Sequence, residues 1–146
     1  MIGRREFGIA GLSAITLAAM QSQGRADDSK AEHEDAFEEC SEACSDCQRE
    51  CDECAHHCAM MLAEGKKQHT TTLQTCQDCA DVCSAASHIV ARHGTFAGMI
   101  CTACADACAK CAQECEKYAS DKAMVECAKE CRECEKACRE MLKHGK

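Results

Sequence analysis

Cysteine recurs in this chain at intervals of three and four residues, and that rhythm constrains the fold more than any other feature. The eighteen cysteines fall in four groups: Cys40, Cys44, Cys47, Cys51, Cys54 and Cys58; Cys76, Cys79 and Cys83; Cys101, Cys104, Cys108, Cys111 and Cys115; Cys127, Cys131, Cys134 and Cys138. Steps of three and four in strict alternation keep to one stripe of an α-helix, the a and d positions of a heptad. Those positions normally hold Leu and Ile. Four thiol stripes therefore predict four helices turned toward a shared interior. The expected fold is all-α, an antiparallel four-helix bundle with a cysteine-lined core. Proline is absent and aromatics are 3 %, which leaves little for a sheet or an aromatic core.

Caps and breakers set the expected helix limits. The first helix should run over residues 29–64, with Asp28 or Ser29 accepting from its first amides and Gly65 just past its end. The second should cover 70–92 and stop at Gly94. Thr95 should cap a third helix reaching Ala119, and Ser120 or Asp121 a fourth ending near Gly145. The joints are short, so consecutive helices should be antiparallel neighbours. Glu42, Asp46, Arg49, Glu50 and Glu53 lie between the thiols of the first stripe, on the expected water face.

Residues 1–26 differ from the rest. A basic start with Arg4-Arg5 precedes a mildly apolar stretch, then Gly24-Arg25-Ala26 and polar Asp27-Asp28. That order is the pattern of an export signal cleaved after Ala26, and Arg4-Arg5-x-Phe7 resembles the twin-arginine motif. The expected division is a signal over 1–26 and a four-helix-bundle domain over 27–146, with a periplasmic location. A net charge of -8 and the lack of a basic patch argue against nucleic acid. No stretch is long and apolar enough for a stable membrane span.

Thiols are a poor choice for stability alone, because Cys buries less surface than Leu. Structural disulfides usually place a few cysteines between distant segments, not in continuous ladders. Zinc would leave two negative charges for every four thiolates, which is costly when sites stack in a dry core. Iron–sulfur clusters need four corners in loop motifs, which these ladders do not resemble. A monovalent soft ion at about one per thiolate leaves the core near neutral, and thiolates select Cu(I). Zn, Cd or Hg sequestration of the metallothionein kind and a disulfide-stapled helical protein remain the alternatives.

The four Cys-x-x-Cys-x-x-x-Cys ladders, with their short joints, resemble the four-helix-bundle copper storage proteins of bacteria over residues 31–144. The resemblance implies storage of many Cu(I) ions per chain for later supply to a copper enzyme or copper chaperone. It also implies a homo-oligomer, often a tetramer, and the leader resembles the exported branch of the family.

Extending the stripes past the last thiols distinguishes two ends. Met61, His69, Thr72, Tyr118 and Met124 fall at one, with Met60 beside them. His33, Phe37, Ala86, Val90, His93, Ala97 and Met141 fall at the other. Met61, His69 and Met124 are candidate weak Cu(I) ligands at an opening, and Phe37 and Val90 read as an apolar plug. His56, His57, His88 and His144 read as solvated. A packed row of thiols offers no single activated nucleophile, so the chain is not read as an enzyme. The outer positions of the second and third helices, among them Val82, Ile89, Met99, Ile100, Ala103 and Ala107, carry little charge and are the expected self-association surface.

Overall fold

A computed structural model of the chain describes the backbone of residues 16–144 and the side chains of residues 28–144. By internal contacts the chain divides into residues 1–31 and 32–146, and the description below concerns the second unit. Four α-helices carry the thiols: α1 (Thr16–Ala63), α2 (Thr70–Ala91), α3 (Ala97–Cys115) and α4 (Lys122–His144). Short 3-10 turns at Lys67–His69 and Glu116–Tyr118 join the first pair and the last pair. Among the described residues there is no strand. No helix among them is long and apolar enough to cross a membrane.

α1 begins earlier than expected. Its helical backbone runs from Thr16 through Asp28 and Ser29 without a break, so neither residue stands at the start of the helix. Residues 1–15 of the expected leader lie outside the described residues. The end of α1 fits the expectation: Gly65 takes a φ of 85°, its N–H donates to the Leu62 carbonyl at 2.9 Å, and the Lys66 N–H donates to the Met61 carbonyl at 3.0 Å. This pair of bonds satisfies two carbonyls that the helix end leaves free.

α2 closes by the same pair of bonds with a different residue in the left-handed position. His93, not Gly94, has the positive φ, 50°. Its N–H reaches the Val90 carbonyl and that of Gly94 reaches the Ile89 carbonyl, both at 2.9 Å. Gly94 is required for space: a Cβ there would lie 3.0 Å from the Ile89 carbonyl oxygen and from Ile89 Cγ2. Thr95 is not the cap of α3. Phe96 holds that position with no side-chain bond, and the Gly94 carbonyl accepts from the Ala97 N–H at 2.9 Å. α3 is also shorter than expected, because the chain tightens into the 3-10 turn after Cys115. Asp121 does cap α4, its Oδ1 accepting from the Ala123 N–H at 3.1 Å.

Sulfur contacts fix the register. α3 runs parallel to α1, pairing Cys40 with Cys101, Cys44 with Cys104, Cys47 with Cys108 and Cys51 with Cys111 at 3.6–3.9 Å. α4 runs antiparallel to α1, pairing Cys40 with Cys138, Cys44 with Cys134, Cys47 with Cys131 and Cys51 with Cys127 at 3.7–3.9 Å. α2 runs antiparallel to α3, pairing Cys83 with Cys104, Cys79 with Cys108 and Cys76 with Cys111 at 3.6–3.8 Å. The result is a stack of layers with one residue from each helix. Three central layers are all thiol: Cys44, Cys83, Cys104, Cys134; Cys47, Cys79, Cys108, Cys131; and Cys51, Cys76, Cys111, Cys127.

Both ends of the stack taper. Toward one, Ala86 joins Cys40, Cys101 and Cys138, and the next layer is Phe37, Val90, Ala97 and Met141. Phe37 is 6 % exposed and Val90 and Met141 are fully buried. Over this apolar layer the Phe37 ring stacks on His33 and on His93, each at 4.6 Å between centroids. His93 Nε2 also lies 3.6 Å from Glu34. These contacts accompany the imidazole at a backbone position that glycine adopts without strain. Toward the other end, Thr72 and Met124 replace two thiols beside Cys54 and Cys115. Cys58, His69 and Tyr118 follow, with the His69 and Tyr118 rings stacked at 4.6 Å.

Candidate metal centre

All eighteen cysteines are buried and free. None exceeds 1 % exposure, and the Sγ–Sγ contacts span 3.5–4.0 Å. Free thiols throughout the ladder do not fit the disulfide-stapled alternative. Groups of four sulfurs lie within 4.8 Å of one another, including Cys44, Cys104, Cys134 and Cys138; Cys47, Cys83, Cys108 and Cys134; and Cys51, Cys111, Cys127 and Cys131. Cys47, Cys51, Cys127, Cys131 and Cys134 each serve two such groups. The sites are therefore not separate knuckles but overlapping parts of one sulfur column. Soft ions could be shared between neighbouring groups along it.

Packing thiols this closely splits their acidities. Hydrogen bonding from Cys111 pulls the Cys115 thiol down to about 6. The contact with Cys54 and then burial push the Cys58 thiol up. At Cys83, hydrogen bonds to Cys104 and Cys108 raise the thiol, again with burial in the same direction. A thiolate in this column is stabilised by thiol donors around it, while those donors hold their protons more tightly. A soft cation that replaces such protons relieves the competition and restores charge balance.

The end with mixed ligands differs from the expectation in detail. Met124 is fully buried, and its Sδ accepts from the Cys54 thiol at 3.5 Å, so it extends the sulfur column directly. His69 is 4 % exposed and Thr72 1 %, and His69 Nδ1 and Thr72 Oγ1 have no hydrogen-bond partner. Two unpartnered polar atoms at one end of a thiol column mark a place where a ligand or water is expected. Tyr118 steadies this end by donating its hydroxyl to the Gln68 carbonyl at 2.8 Å. Met61 is half-buried and its Sδ accepts from Lys66 Nζ at 3.2 Å. Met60 stays 51 % exposed and does not join the column.

One polar contact escaped the sequence reading. His57, expected to be solvated, is half-buried with Nε2 2.7 Å from Asp121 Oδ2. Burial would raise the Asp121 carboxyl, but the His57 ring and the Met124 and Ala123 amides outweigh it and hold its pKa below the ordinary value. The pair ties the penultimate turn of α1 to the cap of α4. Its only sequence signal was a histidine one position before Cys58, off the stripe.

The family profile for copper storage proteins matches residues 33–143 of the chain. A structure of a cytosolic copper storage protein from Streptomyces lividans, described as loading five coppers, is 34 % identical, with a TM-score of 0.68 over 78 % of this chain and 97 % of that one. The same organism's protein loaded with 10 copper equivalents is 34 % identical, with a TM-score of 0.67 over 75 % of this chain and 85 % of that one. A protein of Nitrosospira multiformis is 29 % identical, with a TM-score of 0.65 over 75 % and 97 %. Comparison with curated protein sequences gave no match. The Streptomyces protein is described as cytosolic, which overturns the expected periplasmic location. The thiol column, its register and these likenesses agree: the chain belongs to the copper storage protein family.

Proposed function

We propose that the bundle over residues 27–146 stores Cu(I), holding many ions through its eighteen cysteines for supply to a copper enzyme or chaperone, without catalytic turnover. The observation that carries this is the uninterrupted column of free, buried thiols in contact with one another. A column of this kind suits a monovalent soft ion at about one per thiolate, because that ratio keeps the core near neutral. The likeness to structures with five and 10 coppers supports the cargo.

Met124, His69 and Met61 are proposed to hand ions to the thiolates. Met124 already touches Cys54, His69 offers a buried, unpartnered nitrogen, and Lys66 covers Met61. Thioether and imidazole bind Cu(I) more weakly than thiolate, so transfer inward is downhill. The opposite end is closed by Phe37, Val90 and Met141. The protein is also proposed to be a homo-oligomer.

Anaerobic titration with Cu(I) under reducing conditions tests the cargo. The expected capacity is on the order of one ion per thiol. Saturation at about four or five divalent ions with tetrathiolate spectra would favour zinc-like sequestration instead. Competition between a Cu(I) chelator and a zinc chelator separates the same two readings.

A further inference from the structure

Cys79 lines a surface groove as well as the thiol column. The groove lies between α2 and α3 and measures about 490 Å³, within the range of small-molecule sites. Three other surface grooves, beside His93, along the outer face of α4 and beside His88, have no cysteine in their walls. Cys79 belongs to the middle thiol layer, its sulfur 3.8 Å from that of Cys108 and 3.9 Å from that of Cys83. The groove therefore meets the column away from either end.

Two features leave this seam open. Ala103 and Ala107 stand in its α3 wall, and a methyl group covers little. Among the described residues no ion pair joins α2 to α3, whereas Asp106 ties α3 to α4 through Arg139 at 3.5 Å and His57 ties α1 to the cap of α4 through Asp121 at 2.7 Å. The charges around the groove divide as well. Asp106 is engaged by Arg139, and Glu114 by Lys117 at 2.6 Å. Asp78 and Lys110 make no hydrogen bond or ion pair among the described residues. Asp78 adjoins Cys79 in the α2 wall, and Lys110 stands in the α3 wall. A thiol, an unpaired carboxylate and an unpaired ammonium thus share one concave site.

We propose that this groove admits the Cu(I) complex of a small thiol that bears both an amino group and a carboxylate, and that Cys79 takes the ion from it. The inference rests on the storage reading above and adds a side approach to the opening at Met124. Lys110 receives the carboxylate and Asp78 the ammonium, charge-assisted contacts that also fix which way the carrier sulfur points. Transfer is an exchange of ligands without redox change. The Cys79 sulfur forms a bond to Cu(I), the bond between Cu(I) and the carrier sulfur breaks, and the Cys79 proton leaves on the carrier as its thiol. Cys47, Cys51 and Cys131 lie with Cys79 in one group of sulfurs within 4.8 Å. Further protein thiolates therefore stand ready to hold the ion once the carrier has gone, which makes the transfer downhill.

Two measurements on the full-length, reduced, metal-free protein test this. In the first, Cu(I) is supplied anaerobically as its glutathione complex or as its mercaptoethanol complex, and uptake is timed. Glutathione carries the amino and carboxylate groups, and mercaptoethanol carries neither. Asp78→Asn combined with Lys110→Gln keeps the net charge of the chain. The double variant should slow uptake from glutathione about fivefold, the scale of two exposed charge contacts, and leave uptake from mercaptoethanol unchanged. In the second, a brief exposure to glutathione disulfide is quenched with acid and the protein is digested. A protein thiolate attacks the disulfide and one glutathione leaves as its thiol, so the first mixed disulfide marks the cysteine that the carrier reaches. It should sit on Cys79. Unchanged uptake from glutathione in the double variant, equal slowing with mercaptoethanol, or a first mixed disulfide on another cysteine would overturn the proposal. A wild type that takes up only a few ions from either carrier would fault the storage reading instead, whereas the disulfide map decides the groove without copper.

Discussion

The two ends of the thiol column are built from the same four helices but finish differently. At one end the layers pass from thiol to Phe37, Val90, Ala97 and Met141, with Val90 and Met141 fully buried and an aromatic stack of His33, Phe37 and His93 above. At the other they pass through Cys54, Cys115, Thr72 and Met124 to Cys58, His69 and Tyr118, and two buried polar atoms lack partners. The first end resembles an ordinary bundle core. The second keeps soft and polar side chains where a core would become apolar. The difference shows that one periodic pattern can finish in an apolar layer or in a sulfur-rich polar one, because the a and d positions choose only what faces inward, not its chemistry.

The sharpest way to break the comparison is to open the sealed end. Phe37→Ala removes a buried ring and should cost about 3–5 kcal/mol of stability, read by thermal melting of the metal-free protein. It should also speed copper removal by an excess of chelator. Unchanged removal in a protein that is still folded would mean that the plug does not limit escape.

Next in size is Met61→Leu combined with Met124→Leu. Leu conserves the volume, so stability should change by less than about 1.5 kcal/mol, but loading and removal should slow several-fold. His33→Ala and Met141→Leu should leave those rates unaltered. The reverse pattern would place the opening at the wrong end.

Asp121→Ala removes both the cap of α4 and the tie to His57, and should cost about 1–2 kcal/mol at neutral pH. The sign with pH follows from the lowered carboxyl. A carboxylate whose folded pKa lies below its unfolded value stabilises the fold fully above the unfolded value, near 4. That stability is lost as pH falls through the folded value. The gap between wild type and variant should therefore narrow in acid, and a gap constant down to pH 2 would deny the charged pair a role.

The smallest contrast compares the two helix ends. Gly65→Ala forces a Cβ into a φ of 85° and should cost about 1 kcal/mol. Gly94→Ala should cost a similar amount through the 3.0 Å contact with Ile89, without any change of φ. His93→Gly should be close to neutral, since relief at the left-handed position offsets the lost ring stack. Chemical denaturation resolves all three.

Much of this was legible beforehand. Steps of three and four named every cysteine that lines the column. Carried past the thiols, they also assigned Phe37, Val90 and Met141 to one end and His69, Thr72 and Met124 to the other. The misses have local causes. Asp28 and Ser29 looked like caps because such side chains compete for backbone amides, yet helix continues through them. Thr95 failed for the same reason: the backbone of Gly94 supplied the bond. His57 was read as solvent-facing because a stripe says nothing about a residue beside it, and only the arrival of Asp121 at the α3–α4 turn gives it a partner. Val82, Ile89 and Ile100 looked like outer positions, but they pack partly buried against the core.

The sequence by itself determined which atoms share the interior, because helical periodicity is a local property of the backbone and holds wherever a helix forms. It also determined that the interior is sulfur and that its two ends differ. The tertiary structure decided which sulfurs touch, which histidine nitrogen is buried without a hydrogen-bond partner, where the left-handed residue falls, and which apolar side chains stay in water. Those outcomes depend on the rotation and register of four helices against one another, which short-range spacing does not encode.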